Sequence, residues 1–425
     1  MTNPFQKLIA LLGHWRWVIN YEYRPVCKAR KLYPQTLARL KAKLSQGKKL
    51  KVVFLVGEVS KWKVQTLYDW MLASSLFEPC VALTLPDDRA KTMTPDERLA
   101  HFDKGREFFA KRSITPMEAL NPETGQYATA KELGADILFY YQPWSLPPEH
   151  WPEVVAETAL TCYVPYYVPN YGDLSMDAQQ PFHRTVWAYF ILNDDWAELF
   201  RKAVKPWMTT SQIVGLGHPM LDVFSTLVPD TNSQMVIYAP HWSIDVPGNE
   251  NSENYSTFHL NGREMLAYAQ QHKEFHWIFK PHPDLRKILV KTGWTEQEVE
   301  AYYNAWNELG GLCETGDYPT LFMQSRLMVT DCGSFLTEYA CTGHPILHLI
   351  CPTCKKVPFP QSKQLFDLYY QAHNTKELHA QLDLLLVRGE DPRRDQRLAM
   401  VEKMRLRDNN AAAIIGEWLQ TQLGK

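Results

Sequence analysis

Residues 51–57 (KVVFLVG) are a continuous apolar run closed by glycine, the pattern of a strand buried on both faces of a parallel sheet. A helical stretch over 61–76 follows, then a second apolar run at 80–86 and a charged helix over 94–112. A strand near Ile114, a helix end at 131–133 closed by Gly134, and further apolar runs at 135–143 and 158–167 continue the series. Helical segments are predicted through 180–203, clearest in 186–203, and residues 213–222 read as a strand and turn leading away from this domain. A second series starts at 235–242 and continues with a helix around 262–271, an apolar run at 275–283 and a helix over 295–309. It goes on with a short strand at 312–313, a helix over 318–324, strand 326–334, helix 335–342 and strand 344–350, and the chain ends in a helix-like stretch, 395–423. Strand and helix alternating at roughly 30-residue spacing predict α/β domains with doubly wound parallel sheets. The expected organisation is a basic helical segment 1–50, a Rossmann-like domain 51–228, a second Rossmann-like domain 229–394 and a terminal helix 395–425. Residues 229–233 (PDTNS) would be the linker. Two such domains in tandem predict a central cleft between the carboxyl ends of their sheets as the ligand site.

Composition narrows the class. Hydrophobic residues make up 45% of the 425 and charged residues 22%, which excludes disorder as the main state. No apolar run approaches the ~18 residues of a membrane-spanning helix, and the N-terminus shows no signal-peptide pattern, since His14 and Arg16 interrupt residues 8–12. Eight cysteines in a chain this long read as reduced thiols in a cytoplasmic protein. The net charge of −2 hides an asymmetry: residues 1–51 hold twelve Lys/Arg against one acid, Glu22, so this stretch carries +11 and the remainder −13. That balance argues against nucleic acid and for a local anionic partner, a membrane surface or a phosphorylated glycan. Residues 4–19 interleave apolar, aromatic and basic positions, and Leu37, Leu40 and Leu44 sit at helical spacing among basic residues. One reading is an interfacial helix pair with Trp15 and Trp17 at headgroup level, peripheral on the inner face of a membrane. The other is a helix packed on the first domain with a solvated basic face.

The candidate chemistry lies in the second half. In residues 329–347 (VTDCGSFLTEYACTGHPIL) a strand runs into a tight turn with Asp331, Cys332 and Gly333, and a helix begins near Ser334. A helix start presents unpaired N–H groups and the positive end of the dipole, which suits a phosphate. Gly333 permits close approach, Ser334 offers a hydroxyl, and Glu338 lies one turn further on the same face, where a carboxylate accepts ribose hydroxyls. The bland alternative makes Asp331 and Ser334 ordinary caps. In residues 278–286 (IFKPHPDLR), Lys280 and His282 each precede a proline and so share an extended geometry. Lys280 suits phosphate, and His282 suits proton or hydrogen-bond transfer. His241, in 237–243 (IYAPHWS), ends a third strand in the same way. The CxxC of Cys351 and Cys354 lacks two further ligands at regular spacing, so no metal is expected despite Cys341, His344 and His348 nearby. Asp87-Asp88 and Asp194-Asp195 read as caps or solvated faces.

The ordered set APHWS, KPHP and TDCGSFLTEYACTGHPIL, preceded by FILNDDWAELFRKA and IVGLGHPMLDVF, resembles the CDP-glycerol glycerophosphotransferase family of teichoic-acid and capsule enzymes over roughly residues 135–350. The spacing from Asp331 to Glu338 is also similar to that of nucleotide-sugar enzymes of the GT-B class. The resemblance implies a GT-B fold, a nucleotide-activated donor on the C-terminal domain, a ribose-holding Glu338, and a glycan or lipid-linked acceptor approaching from the N-terminal side. It also implies a terminal helix that crosses back onto the first domain. No cofactor is required beyond the nucleotide donor, CDP-glycerol or a nucleotide sugar. One departure stands out: the family's polymerases carry His-Gly-Thr where this chain has TCYVPYY (161–167). Tyr163, Tyr166 and Tyr167 there suit stacking on the acceptor side better than proton abstraction. His241 is therefore the expected base, with His183 as the weaker candidate. In the expected mechanism Lys280, His282 and the amides of 333–335, Phe335 included, hold the donor pyrophosphate while His241 deprotonates the acceptor hydroxyl. The rival readings are a GT-B glycosyltransferase using a nucleotide sugar, and a catalytically silent glycan-binding or assembly subunit.

Overall fold

The structure, a computed structural model, describes residues 12–171, 180–203, 211–244, 254–314, 318–404, 406 and 410–425. The chain divides into two compact units. Unit 1 takes Met1–Tyr167, Leu174–Met220 and Asn410–Lys425; unit 2 takes Val168–Asp173 and Leu221–Asn409.

Unit 1 is built on a seven-stranded parallel sheet. In chain order its strands are β1 (Leu50–Val56), β2 (Phe77–Leu83), β3 (Met117–Glu118), β4 (Ile137–Tyr140), β5 (Leu160–Tyr163), β6 (Ala188–Ile191) and β7 (Ile213–Gly215). Their order across the sheet is β3-β2-β1-β4-β5-β6-β7, so the winding reverses between β1 and β4. β1 shows why the pattern was readable: six of its seven residues are buried, as they must be where helices cover both faces. The helix Pro95–Ala110 starts at a capping box in which Thr94 and Glu97 each satisfy the other's backbone N–H.

Two expectations for this unit fail. The apolar run of 186–203 is not one helix: Ala188–Ile191 is β6, buried along its whole length, and only Asp194–Ala203 is helical. Four apolar residues buried on both faces of the sheet have no amphipathic stripe, so their period carries no helix signal. Residues 213–215 do not lead away; they pair with β6 as the edge strand β7. Ile114 stands in a turn before β3, and residues 129–134 form turns rather than a helix end.

The helix Arg24–Ser45 buries Ala29, Tyr33, Leu40 and Leu44 in the core of unit 1, so 35–46 is a packed helix rather than a free interfacial one. Several of its basic residues have partners: Lys43 pairs with Asp136, and Lys28 with Glu157 at 2.6 Å. Residues 4–11 of the stretch 4–19 lie outside the described residues. The terminal stretch is two helices. Arg394–Lys403 stays with unit 2, and Ala411–Gln422 joins the core of unit 1. There Gly416 faces Trp70 of the helix Gln65–Ala73 so closely that a Cβ would fall 2.2 Å from the indole.

Unit 2 has five parallel strands: β8 (Met235–Ala239), β9 (His276–Phe279), β10 (Leu327–Thr330), β11 (Ile346–Leu349) and β12 (Tyr370–Ala372), the last of which has no clear apolar run. They lie in the order β12-β11-β10-β8-β9. The winding reverses between β8 and β10. In open parallel sheets the crevice at the carboxyl side of such a reversal is where ligands bind.

Candidate functional site

Strand register assembles the site in unit 2. Ala239 pairs with Thr330 and Tyr238 with Phe279, so the residues following β8, β9 and β10 emerge side by side on one rim. His241 follows β8, Lys280 and His282 follow β9, and Asp331 with the helix Gly333–Ala340 follows β10. The His282 N–H donates to the Pro240 carbonyl at 3.1 Å, and the rings of His241 and His282 lie 5.3 Å apart, edge to face.

Asp331 ties the rim together. One carboxylate oxygen accepts the His241 N–H at 2.6 Å; the other accepts the Thr257 N–H at 2.6 Å and its hydroxyl at 2.9 Å. Thr257 precedes the helix Phe258–Gln271, so a single side chain fixes three loops. Asp331 is thereby a brace, and the phosphate-binding role expected of it is corrected: its acceptor oxygens already face inward. Burial pushes its carboxyl up to about 6 even against these hydrogen bonds.

In both histidines the ring nitrogen Nδ1 is an acceptor. The His241 Nδ1 accepts the Ser243 N–H at 3.3 Å and lies 2.7 Å from the Ser243 hydroxyl, whose oxygen in turn accepts the Tyr255 N–H. The His282 Nδ1 accepts the Asp284 N–H at 3.1 Å. A ring nitrogen that accepts from an N–H carries no proton, so in each neutral ring the proton is assigned to Nε2. Burial, and then the neighbouring His282, drives His241 down to about 3 and keeps it neutral near pH 7. His241 is therefore poorly suited to be the base: its lone pair is held by Ser243, and its Nε2 carries the proton.

Lys280 is only 9% exposed, yet among the described residues its ammonium has no hydrogen bond and no ion pair. It sits over the ring of Tyr318, 5.5 Å from the centroid. The Tyr318 hydroxyl donates to the Glu338 carboxylate, which is buried. The expected Ser334–Glu338 face is thus split: Gly333, Ser334 and Phe335 are partly accessible, whereas Glu338 lies beneath Tyr318 and a ribose would have to displace the tyrosine hydroxyl to reach it. The cap residue Cys332 contributes no side-chain hydrogen bond to the helix start, which leaves that end of the dipole available to an anion.

Two residues that sequence reasoning missed complete the rim. Asn170 is 4% exposed; its Nδ2 donates to the Gly333 carbonyl at 2.6 Å, while its Oδ1 accepts from the hydroxyls of Thr337 at 2.8 Å and Ser362 at 3.0 Å. Tyr171 follows, with its ring against Gly333, 5.2 Å from Tyr255 and its hydroxyl 3.3 Å from the His348 Nε2. The only signal in the sequence was a Pro-Asn-Tyr-Gly turn.

On the acceptor side the expectations are partly overturned. Tyr163 is buried in unit 1 against Phe182, His183 and Tyr189, and His183 stacks on Tyr189 at 5.2 Å; both are core residues and neither is an acceptor contact or a base. Tyr166 and Tyr167 are half-buried neighbours at 4.8 Å, with the Lys61 ammonium 5.0 Å from the Tyr166 ring. Among the described residues no group of three or more His, Cys, Asp or Glu is placed to hold a metal ion.

No protein-family model matches this sequence, and no curated protein matches it. Solved structures do. A UDP-GlcNAc 2-epimerase from Neisseria meningitidis bound to UDP-GlcNAc is similar over 88% of this chain and 100% of that one, with TM-score 0.54 and 13% identity. An S. aureus MnaA–UDP structure is similar over 88% and 97%, with TM-score 0.55 and 12% identity. The wall teichoic acid polymerase TagF is similar over 100% and 99%, with TM-score 0.54 and 14% identity. Likeness at this identity establishes the fold, two parallel-sheet α/β domains of the GT-B kind.

The Asp331 brace makes a pH prediction. Its folded-state value lies above the ordinary 3.8, so the folded chain binds this proton more tightly than the unfolded chain does. Its stabilising contribution is full below about pH 3.8 and is lost as pH rises through about 6. Wild type should lose about 2 kcal/mol relative to Asp331→Asn between pH 4 and pH 7, measured by denaturant unfolding of both chains. A difference that stays flat, or one that grows with pH, contradicts the assignment.

Proposed function

We propose that this chain is a GT-B transferase that moves a glycerol-phosphate-like group from a CDP-activated donor onto a surface-polysaccharide acceptor. The observation that carries the reading is Lys280: a buried cation without a counter-ion among the described residues, beside two Nε2–H donors and a helix start, at the winding reversal of a parallel sheet. A diphosphate supplies the charge and the acceptor oxygens that this rim lacks. The ordered motifs, rather than the fold, which the epimerases share with TagF, favour cytidine and glycerol phosphate in this reading.

In this reading Lys280 neutralises the bridging and leaving phosphate, and the helix start and the His282 Nε2–H bind its oxygens. The neutral His241 donates a second hydrogen bond without needing to be charged. Phosphoryl-transfer catalysis rests largely on positioning and on stabilising charge at the phosphate oxygens. The site's work is then positioning and charge stabilisation, in agreement with histidines that donate. As the acceptor oxygen bonds to the phosphorus that carries the glycerol, the bond from that phosphorus to the oxygen of CMP breaks, and the acceptor's proton passes to the departing CMP phosphate.

A second reading, a glycosyltransferase with a nucleotide sugar in the same site, is favoured by the UDP-bearing structures of the same fold. We also propose an anionic membrane surface as a partner of the N-terminal stretch. No described helix is long and apolar enough to cross a membrane. However, Trp15, Trp17, Tyr21 and Tyr23 are all roughly half exposed on one short helical segment flanked by Arg16, Arg24, Lys28 and Lys31, a composition that suits the headgroup layer. The inner face of a membrane is the location this implies.

A thermal-shift panel with CDP, CMP, UDP and GDP separates the donor readings. At 100 times Kd a ligand adds ~2.7 kcal/mol. A shift with cytidine nucleotides alone is expected; a shift with UDP or GDP instead moves the assignment to a sugar donor, and no shift at all leaves a silent subunit. His282→Ala should lower turnover about 100-fold or more with the unfolding midpoint unchanged, and near-normal turnover would remove the clamp role. For the membrane, sedimentation with anionic vesicles should require residues 12–23; vesicle binding that survives their deletion rejects the surface.

A further inference from the structure

Unit 1 holds a second concave site that the transfer reading does not use. It opens at the carboxyl ends of β1 and β2, where Val56 pairs with Leu83, and its volume is about 210 Å³. That is room for a phosphate group with a short hydroxylated chain, given about 30 Å³ per liquid water. Arg89, His101, Lys104, Gly57, Glu58 and Ser60 are among the residues that line it.

The charges are arranged for an anion. Glu58 is engaged by Arg89 at 2.5 Å and by Lys61 at 3.8 Å, so the acid does not cancel the remaining cation. Lys104 has no hydrogen bond or ion pair among the described residues. The His101 Nε2 lies 2.6 Å from the Gly57 carbonyl; a carbonyl only accepts, so Nε2 carries the proton and Nδ1 of the neutral ring is an acceptor. The outer oxygen of Glu58 and the Ser60 hydroxyl add further hydroxyl partners. Gly57 packs against Tyr141, where a Cβ would fall 1.8 Å from the tyrosine hydroxyl.

We propose that this pocket binds the phosphomonoester of a small hydroxylated molecule, with Lys104 and Arg89 taking the phosphate and His101 and Glu58 accepting from the hydroxyls. The carboxyl ends of parallel strands are where such folds place ligands; Lys104, the cation that Glu58 does not engage, gives the site its anion preference, and Arg89 adds the guanidinium N–H groups that Glu58 leaves over. The proposal stands on unit 1 alone, whether or not unit 2 holds a nucleotide. Polyol phosphates and sugar phosphates share this chemistry.

The test is calorimetric titration of the full chain with glycerol 3-phosphate, glucose 6-phosphate and inorganic phosphate, in wild type, Lys104→Glu and Lys280→Ala. Lys104 is exposed, so its substitution leaves the fold intact. Saturable binding of an ester is expected, weakened about tenfold or more by Lys104→Glu and unchanged by Lys280→Ala. The tighter ester identifies the source, an acyclic polyol or a sugar ring. Three results overturn the proposal: no saturable binding, binding indifferent to Lys104, or inorganic phosphate binding as tightly as both esters. Binding lost in Lys280→Ala but kept in Lys104→Glu assigns the phosphate to unit 2 and also overturns it. A failure of the nucleotide reading, seen with CDP, changes none of these outcomes.

Discussion

A lysine held on a rim without a counter-ion leaves a positive field that an anion can satisfy. Lys280 is such a group: the residue is 9% exposed, and its ammonium has no hydrogen bond or ion pair among the described residues. It is fixed by strand β9, whose neighbour β8 accepts its backbone N–H at the Tyr238 carbonyl (2.8 Å), and it rests on an aromatic ring instead of a carboxylate. The rest of the rim complements it with donors rather than acceptors: two imidazole Nε2–H groups, an uncapped helix start and a serine hydroxyl. A site so short of acceptors is electrostatically incomplete until a polyanion enters.

The acids nearby are kept from filling that gap. Asp331 spends its oxygens on the loops after β8 and before the helix Phe258–Gln271, and Glu338 is engaged by Tyr318. The braces and the open cation belong to one design, since each carboxylate that holds the rim in shape is also one that does not neutralise Lys280. Asn170 and Tyr171 extend the same logic to the helix start, positioning Gly333 from a segment that lies in sequence between strands of the other sheet.

Much of this was legible because parallel strands buried on both faces are apolar from end to end and stop at glycine, proline or a polar residue. β1, β8, β9 and β10 all show that signature, and the polar residues just past their ends are the site residues. β6 was lost because only Leu192 and Asn193 separate its apolar residues from the helix Asp194–Ala203, so the two read as one helix, and β12 because its three residues include a polar one, Gln371. The identity of the rim residues was readable, but their chemical state was not. The tautomers of His241 and His282 are set by the N–H two residues on, and Tyr163 became a core residue through partners on β6 and the helix Pro181–Thr185. Asn170 was out of reach because its partners lie 163–192 residues away.

The central claim is that Lys280 is there for phosphate, and the preference for CDP over cytidine measures it directly. Lys280→Met keeps the side chain's length and removes its charge. If the account is right, wild type binds CDP far more tightly than cytidine and Lys280→Met loses most of that preference while binding cytidine as before. An equal preference in the two chains would contradict it.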